Sequence, residues 1–351
     1  MAEIRDELFY KQKNGYDTMS TQQRIDMEDY CRGYMAFLNE ARTEREAVKI
    51  AIEMAEDKGF VEYVDGMKLS PGDKVYCNNR SKALMLAVIG KKSLEEGCVI
   101  AGAHVDSPRI DLKQNPLYES DELAYFKTHY YGGIRKYQWV TIPLQLRGVV
   151  VKKDGSVVDV CIGEGSEPKL VITDLLPHLG GEQSKKPLGE AIPGETLNLL
   201  MGSRPMGDSD DTDRVKMQVL KRLYDKYGIT ESDLMSAELE TVPAADATDI
   251  GIDGSLIGAY GHDDRVCAYV LKALLDIETP EKTAVCVLAD KEEIGSMGIT
   301  GMQSAAFDTF MQDLCESQNV ALRVCYENAF CLSADVTAAY DPNFAEGFEE
   351  R

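Results

Sequence analysis

Side chains able to bind a divalent metal follow three apolar segments of this 351-residue chain and begin a candidate helix. They are His104 and Asp106, then Glu292 and Glu293, then Asp335, and Asp263 at the helix start. In an open α/β sheet, ligands gather at the carboxyl ends of the strands. One imidazole with several carboxylates suits zinc, cobalt or manganese, and two such ions together can activate water and polarise a carbonyl. The pattern therefore predicts a metal site at one sheet edge.

Each of these residues also has an ordinary structural explanation when it is taken alone. His104 could be a hydrogen-bonded structural residue, and Glu292 and Glu293 could be solvated loop acids. Asp263 could cap a helix, and Asp335 could belong to a turn. Their coincidence at the ends of several segments of one predicted sheet favours the metal site.

The first part of the chain contains the elements that would position His104. Apolar residues at spacings of three and four predict helix within residues 21–59. Short apolar runs predict strands at residues 74–78 and 83–89, and a buried strand at residues 98–103 that ends at His104.

The middle of the chain, about residues 113–246, carries most of the turn signals. Two apolar, β-branched runs, residues 141–151 and 156–162, lie on either side of an Asp-Gly pair and predict a β-hairpin. Residues 180–213 are rich in Gly, Pro, Ser and Lys and predict a long loop. We therefore expect a separate, β-rich unit here.

An alternation of helix and strand resumes at about residue 247. The predicted elements are a helix at 263–276, a strand at 283–289, a helix at 301–318 and a strand at 328–334. This alternation indicates an α/β fold with a central mixed sheet flanked by helices. Residues 1–112 and 247–351 would form that domain, and residues 113–246 would be inserted into it.

Composition excludes several classes of protein. The chain has 38 Lys and Arg against 60 Asp and Glu, a net charge of −22, which disfavours nucleic acid and anionic lipid as partners. No apolar run approaches the roughly 20 residues of a membrane span, and the first residues do not resemble a secretory signal, so we expect a cytoplasmic protein. The nine cysteines form no CxxC pair, which argues against a disulfide scaffold or a thiolate zinc site.

Four motifs resemble, in this order, those of the aspartyl aminopeptidase family of dinuclear zinc metallopeptidases. They are AHVDSPR at 103–109, GHDDR at 261–265, DKEEIGS at 290–296 and SAD at 333–335. The resemblance spans nearly the whole chain and includes YGG at 131–133 and LPHL at 176–179. It implies a catalytic α/β domain, an inserted β-rich dimerisation domain, and homo-oligomers in which dimers assemble into a dodecamer.

The resemblance also implies roles for the metal-binding candidates. His104 and Asp335 would bind one ion, Asp263 would bridge two ions, and Glu293 would bind the second. Zinc would be the usual metal of both positions, with cobalt or manganese as alternatives. Glu292 would be the general base, which takes a proton from water and delivers it to the leaving amine.

Two further residues receive roles around this site. Asp106 would orient the imidazole of His104 or tune the site, and His178 would contribute to the substrate pocket of a neighbouring subunit. The residues alone leave the roles of Glu292 and Glu293 exchangeable, because adjacent residues of an extended segment point in opposite directions.

The family pattern contains one more metal-binding histidine, C-terminal to the strand that carries Asp335. All four histidines of this chain precede Asp335, and the chain ends at Arg351. We therefore expect a fragment or a truncated gene product that lacks its C-terminal part, with uncovered apolar surface and with an activity that depends on the missing ligand.

These observations predict a metal-dependent aminopeptidase that removes N-terminal residues, acidic or neutral, from short peptides. A related dinuclear amidohydrolase, either a deacylase or a carboxypeptidase, is the enzymatic alternative, because the same ligands serve several amide cleavages. A catalytically impaired assembly subunit is the alternative that the absent histidine suggests.

Overall fold

The computed structural model describes residue 4, residues 7–270 and residues 272–349. One of its two main sheets has six strands: β1 Val61–Glu62, β2 Lys74–Asn79, β3 Ala83–Val88, β4 Val99–His104, β14 Ala284–Ala289 and β15 Phe330–Ser333. The strands lie in the order β1-β2-β3-β14-β4-β15. The pairs β14–β4 and β4–β15 are parallel, whereas β2–β3 and β3–β14 are antiparallel. The predicted central mixed sheet is confirmed.

The helices of the described residues are short to medium in length. They are α1 Gly15–Thr18, α2 Thr21–Glu40, α3 Glu44–Glu56, α4 Leu188–Ala191, α5 Arg214–Tyr227, α6 His262–Val270, α7 Lys272–Leu275, α8 Ala306–Glu316 and α9 Leu322–Glu327. Ser20 begins α2 and Thr43 begins α3, each with a reciprocal capping box. The helical region predicted at 21–59 is therefore two helices, because the second cap starts a new one.

Helices cover both faces of the six-stranded sheet. Residues of α2, α3, α6 and α7 join a hydrophobic core on one face, and residues of α8 and α9 join a second core on the other face. Every residue of β3 is buried. This burial on both faces explains why β3 and β14 are continuous apolar runs rather than alternating ones.

The second main sheet has seven strands: β5 Arg109–Ser120, β6 Leu123–Tyr131, β7 Leu144–Val151, β8 Val157–Ile162, β9 Val171–Ile172, β10 Leu199–Gly202 and β11 Ala237–Pro243. Their order is β8-β7-β11-β5-β6-β10-β9, and all neighbours are antiparallel. Helix α5 buries Val215, Val219 and Leu223, which lie four residues apart on one helical face. A separate hairpin joins β12 Thr248–Ile250 to β13 Leu256–Gly258.

Most predicted elements are confirmed, and three differ. The hairpin at 141–162 is β7–β8. The predicted loop at 180–213 is wrong in part, because β10 lies within it and its buried Leu199 pairs with both Phe126 and Ile172. The helix predicted at 263–276 corresponds to α6 and α7, with Leu271 outside the described residues, and the helix predicted at 301–318 begins only at Ala306.

The boundaries of the inserted unit, residues 113 and 246, stay a prediction. The seven-stranded sheet begins at Arg109, only five residues after β4 ends at His104. Among the residues that the structure describes, no helix is long and apolar enough to span a membrane.

Candidate metal centre

The strand ends of the six-stranded sheet bring the candidate ligands to one edge. His104 is the last residue of β4 and pairs in register with Ala289, the last residue of β14. Ser333, the last residue of β15, pairs with Gly102, so Asp335 follows at the same edge. Helix α6 contacts β4 and carries Asp263 in its first turn.

Three of these side chains converge. The Nε2 atom of His104 lies 3.9 Å from Oδ1 of Asp263 and 3.7 Å from Oδ1 of Asp335. One ligand atom from each residue lies within 4.8 Å of the other two. Ligand atoms about 2.0–2.2 Å from one tetrahedral zinc ion lie about 3.5 Å apart, so the three are close to the spacing that a shared ion requires.

Asp106 directs the imidazole of His104 toward this group. The Nδ1 atom of His104 lies 3.1 Å from the backbone carbonyl of Asp106 and 3.6 Å from its Oδ1. A proton on Nδ1 donates to Asp106, and Nε2 faces Asp263 and Asp335. Burial lowers the pKa of His104, but the interaction with the Asp106 carboxylate and the charge of Asp264 outweigh it and raise the pKa to about 9.

The carboxylate of Asp106 is fully buried and accepts three hydrogen bonds. Its donors are the backbone N–H of Glu292 at 3.0 Å, the backbone N–H of Glu293 at 3.2 Å and the hydroxyl of Tyr131 at 2.7 Å. Burial raises the pKa of Asp106, but the interactions with His104 and with these donors outweigh it and lower the pKa. Asp106 therefore stays ionised. Its hydrogen bonds connect the segment after β4 with Tyr131 of β6 and with the backbone of Glu292 and Glu293 after β14.

The backbone conformation of GHDDR places the two aspartates differently. Gly261 has a φ of 79°, which lets the chain turn sharply into α6. The Asp263 side chain is 55% exposed, whereas Asp264 is buried and its Oδ1 has no hydrogen-bond partner among the described residues. Burial and the neighbouring charges of Asp264 and Asp335 raise the pKa of Asp263.

Glu292 and Glu293 lie in a short 3₁₀ helix that follows β14, after Lys291 in the left-handed region at a φ of 67°. Glu292 lines a cavity of about 410 Å³ together with His104 and Asp335. Glu293 lines another cavity, of about 420 Å³, together with Asp263. Burial and the charge of Asp264 raise the pKa of Glu293 to about 7.

The site has the chemistry that a divalent cation fits. In the described part of the chain, no Lys or Arg forms an ion pair with any of the four carboxylates Asp263, Glu292, Glu293 and Asp335. Burial, and then the crowded negative charge around Asp264, raise the pKa values of Asp263 and Glu293, although His104 opposes both shifts. One imidazole and several carboxylates are the donors that zinc accepts.

The other histidines lie outside the three-residue group. His178 is exposed in the turn at residues 177–179 between β9 and α4. The Nδ1 of His262 lies 3.1 Å from the Tyr34 hydroxyl, and its Nε2 lies 3.0 Å from the backbone carbonyl of Ile257, so both ring nitrogens already have partners.

Sequence reasoning assigned no role to Tyr131, which contacts the site through Asp106. The only signal in the sequence was the YGG motif at 131–133. That motif shows that the chain turns there, but it does not show which residue the phenol contacts.

Comparisons with known proteins found similar sequences over nearly the whole chain. The family model described as Aminopeptidase I zinc metalloprotease (M18) matches residues 37–351. A probable M18 family aminopeptidase 1 of Clostridium acetobutylicum is 46% identical over 355 residues, which cover 98% of this chain and 76% of that relative.

Solved structures show the same architecture. An M18 aminopeptidase from Thermotoga maritima superposes with a TM-score of 0.90 at 38% identity, covering 96% of this chain and 75% of that structure. The S. cerevisiae mApe1 dodecamer superposes with a TM-score of 0.75 at 22% identity, over 93% of this chain and 75% of that structure, a likeness that shows the fold alone. The chain therefore spans about three quarters of the length of these relatives.

Proposed function

This chain belongs to the M18 family of zinc metallo-aminopeptidases, and from that premise we propose that its metal centre hydrolyses the first peptide bond of short peptides. The observation that carries the proposal is the convergence of His104, Asp263 and Asp335, where neither aspartate forms an ion pair with a Lys or Arg in the described part of the chain. Hydrolysis at a metal centre needs such a set of donors around an accessible space, and two cavities adjoin them.

We assign His104 and Asp335 to one divalent ion, Asp263 to a bridging position and Glu293 to a second ion. Glu293 lines the same cavity as Asp263, and its side chain is half-buried whereas that of Glu292 is exposed, which supports a fixed ligand role for Glu293. Zinc is the expected metal, with cobalt or manganese as alternatives. When bound, such ions make water a better nucleophile at neutral pH and polarise the scissile carbonyl.

Glu292 is the proposed general base. Its side chain is exposed in the cavity that His104 and Asp335 also line, and its backbone is fixed by the hydrogen bond to Asp106. It would accept a proton from the attacking water and pass it to the nitrogen of the leaving peptide. Asp106 would hold the imidazole of His104 and the 291–294 segment in fixed relative positions during this transfer.

The charge of the site favours an aminopeptidase over a carboxypeptidase. Asp263, Asp264 and Glu293 are among the residues that line the 420 Å³ cavity, and they would attract the α-ammonium group of a free N-terminus and repel a C-terminal carboxylate. Trp139 and Arg135 also line this cavity. We propose that a neutral first residue packs on Trp139, with an acidic one as the alternative that Arg135 would bind.

Assembly is proposed from the family. We propose a homo-oligomer in which dimers assemble into a dodecamer; the S. cerevisiae mApe1 structure is described as a dodecamer. His178, which is exposed on its turn, would then be free to reach a neighbouring subunit. Sedimentation of the purified chain measures its oligomeric state, and a monomer at micromolar concentration would contradict the proposed dodecamer.

The test of function is the release of N-terminal Asp, Glu, Leu and Lys from unblocked peptides by the purified chain. The reactions contain added zinc, cobalt or manganese, and parallel reactions contain a chelator. We expect chelator-sensitive release from free N-termini and none from the same peptides after acetylation. Cleavage of only the acetylated peptides would indicate a deacylase. Absence of any release by folded protein would indicate the impaired assembly subunit.

A further inference from the structure

We infer that Tyr131 and Arg109, two residues of the seven-stranded sheet, are positioning residues. They hold Asp106 in place, and Asp106 in turn holds the metal site. This inference rests on the proposed metal centre. Neither residue would touch the metal or the peptide. Each would act through the buried carboxylate that orients His104.

The first step is the contact between Tyr131 and Asp106. The Tyr131 hydroxyl donates to Oδ2 of Asp106 at 2.7 Å, and both residues are buried. Burial and the charge of Asp106 raise the pKa of Tyr131, so the phenol keeps the proton that it donates. Oδ2 has one other donor in the described residues, the backbone N–H of Glu293 at the longer distance of 3.2 Å.

The second step is the contact between Arg109 and Tyr131. The two residues pair across β5 and β6, and the guanidinium carbon of Arg109 lies 3.9 Å from the centre of the Tyr131 ring. A planar cation stacked on an aromatic face limits the positions of that ring. The ring of Tyr131 therefore has a fixed support on its face as well as a partner at its hydroxyl.

Arg109 is itself held by three acidic side chains. Its guanidinium nitrogens lie 2.9 Å from Asp111, 3.1 Å from Glu240 and 3.3 Å from Glu44. Asp111 and Glu240 belong to the seven-stranded sheet, whereas Glu44 begins α3 against the six-stranded sheet. Arg109, which supports the Tyr131 ring, is thus held by the seven-stranded sheet and by helix α3, which packs on the six-stranded sheet.

The chain after Tyr131 also lies against the metal site. Gly132 has a φ of 70°, and a Cβ built on it would lie 3.3 Å from Cβ of Glu293 and 3.4 Å from Cα of Pro108. A displacement of the end of β6 would therefore press on the proposed ligand Glu293 and release Asp106 at the same time. The end of β6 is therefore close to both Asp106 and Glu293.

The experiment compares the zinc affinity of metal-free wild-type protein with that of Tyr131→Phe, by titration against a competing chelator. Removal of a group that supports a ligand typically weakens metal binding about 10–100-fold, and we expect a loss of about tenfold in the Tyr131→Phe variant. Tyr130→Phe is the matched control, because Tyr130 is the adjacent, exposed tyrosine of β6, and it should bind zinc as the wild type does. Circular dichroism verifies that both variants are folded.

A double-mutant cycle with Arg109→Lys separates positioning from general destabilisation. Lys keeps the charge of Arg109 but loses its planar stacking surface. If Arg109 acts through the Tyr131 hydroxyl, Arg109→Lys lowers zinc affinity in the wild type and has little further effect in the Tyr131→Phe background. In active preparations, we expect kcat to fall more than KM rises.

The outcomes distinguish this inference from the proposed function. A wild-type chain that binds no zinc would overturn the metal centre itself. Zinc binding by the wild type with equal affinity in Tyr131→Phe would overturn the positioning role alone. Additive losses of zinc affinity from Arg109→Lys and Tyr131→Phe would overturn the inference that Arg109 acts through Tyr131.

Discussion

The backbone N–H of Glu292 donates to Oδ1 of Asp106 at 3.0 Å, across 186 residues of sequence. Asp106 also receives the backbone N–H of Glu293, so one buried carboxylate sets the position of both adjacent glutamates. The same residue faces Nδ1 of His104. The proposed base Glu292 and the proposed ligands His104 and Glu293 are thus held by one common group.

Asp106→Asn should weaken metal binding without unfolding the protein. An amide has one acceptor oxygen, so its NH₂ group would face a backbone donor, either the Glu292 N–H or the Glu293 N–H, and at least one buried hydrogen bond would be lost. We expect zinc affinity to fall about 10–100-fold, measured by chelator competition. Asp121→Asn, in the exposed turn between β5 and β6, is the control. Unchanged zinc affinity in Asp106→Asn would remove Asp106 from this role.

Glu292→Gln should retain zinc and lose turnover. The amide has nearly the same shape as the carboxylate but cannot accept the proton of the attacking water. General acid–base catalysis contributes about 10²–10⁴-fold, so we expect kcat to fall by about that factor with unchanged zinc content. Glu278→Gln, an exposed glutamate after α7, serves as the control. Turnover at the wild-type rate in Glu292→Gln would assign the base to another group.

Glu44→Gln should destabilise the fold in a pH-dependent manner. Glu44 is fully buried, with Oε1 2.8 Å from Lys82 and Oε2 3.3 Å from Arg109. Burial alone raises the pKa of Glu44, but the charges of Arg109 and Lys82 outweigh it and hold the pKa well below its usual range. Breaking a buried ion pair costs about 3–5 kcal/mol. Because Glu240 remains beside Arg109, we expect a loss of about 3 kcal/mol at pH 7.

The sign of the pH effect follows from the lowered pKa of Glu44. Its contribution is complete above the pKa of the unfolded chain, about 4.3, and is lost as the pH falls toward the pKa in the folded state. The difference in free energy of unfolding between wild type and Glu44→Gln should therefore shrink from pH 7 to pH 3.5 in urea titrations. Glu53→Gln, exposed on the same helix α3, controls for the change in charge. A constant difference at every pH would argue against the ion pairs as its source.

Gly261→Ala should disturb the start of α6 and the position of Asp263. The φ of 79° is unfavourable for alanine, and the added Cβ would clash with the guanidinium of buried Arg265. Strain of this type costs about 1–3 kcal/mol, so we expect a lower melting temperature and weaker zinc binding. Gly181→Ala, where a Cβ meets no atom within 4 Å, should leave both unchanged. Wild-type stability in Gly261→Ala would show that α6 can shift without cost.

The sequence determined the main elements because their signals are local. Continuous apolar runs predict buried strands at β3, β4 and β14, and most of the candidate metal-binding side chains closely follow strand runs, so a shared sheet edge could be expected from the sequence. Local composition gave a wrong prediction where pairing with distant strands outweighed it. Strand β10 forms even though its segment is rich in Gly and Pro, because Leu199 is buried and pairs with both β6 and β9.

The tertiary structure alone decided which groups support the site. Tyr131 and Arg109 meet because of the register between β5 and β6, and Glu44 reaches Arg109 because α3 packs beside the start of the second sheet. Hydrogen-bond and ion-pair partners of this type depend on strand register and on packing between distant segments. The periodicity of a single segment carries no information about either, so the sequence could propose candidate metal-binding residues but not the buried groups that hold them.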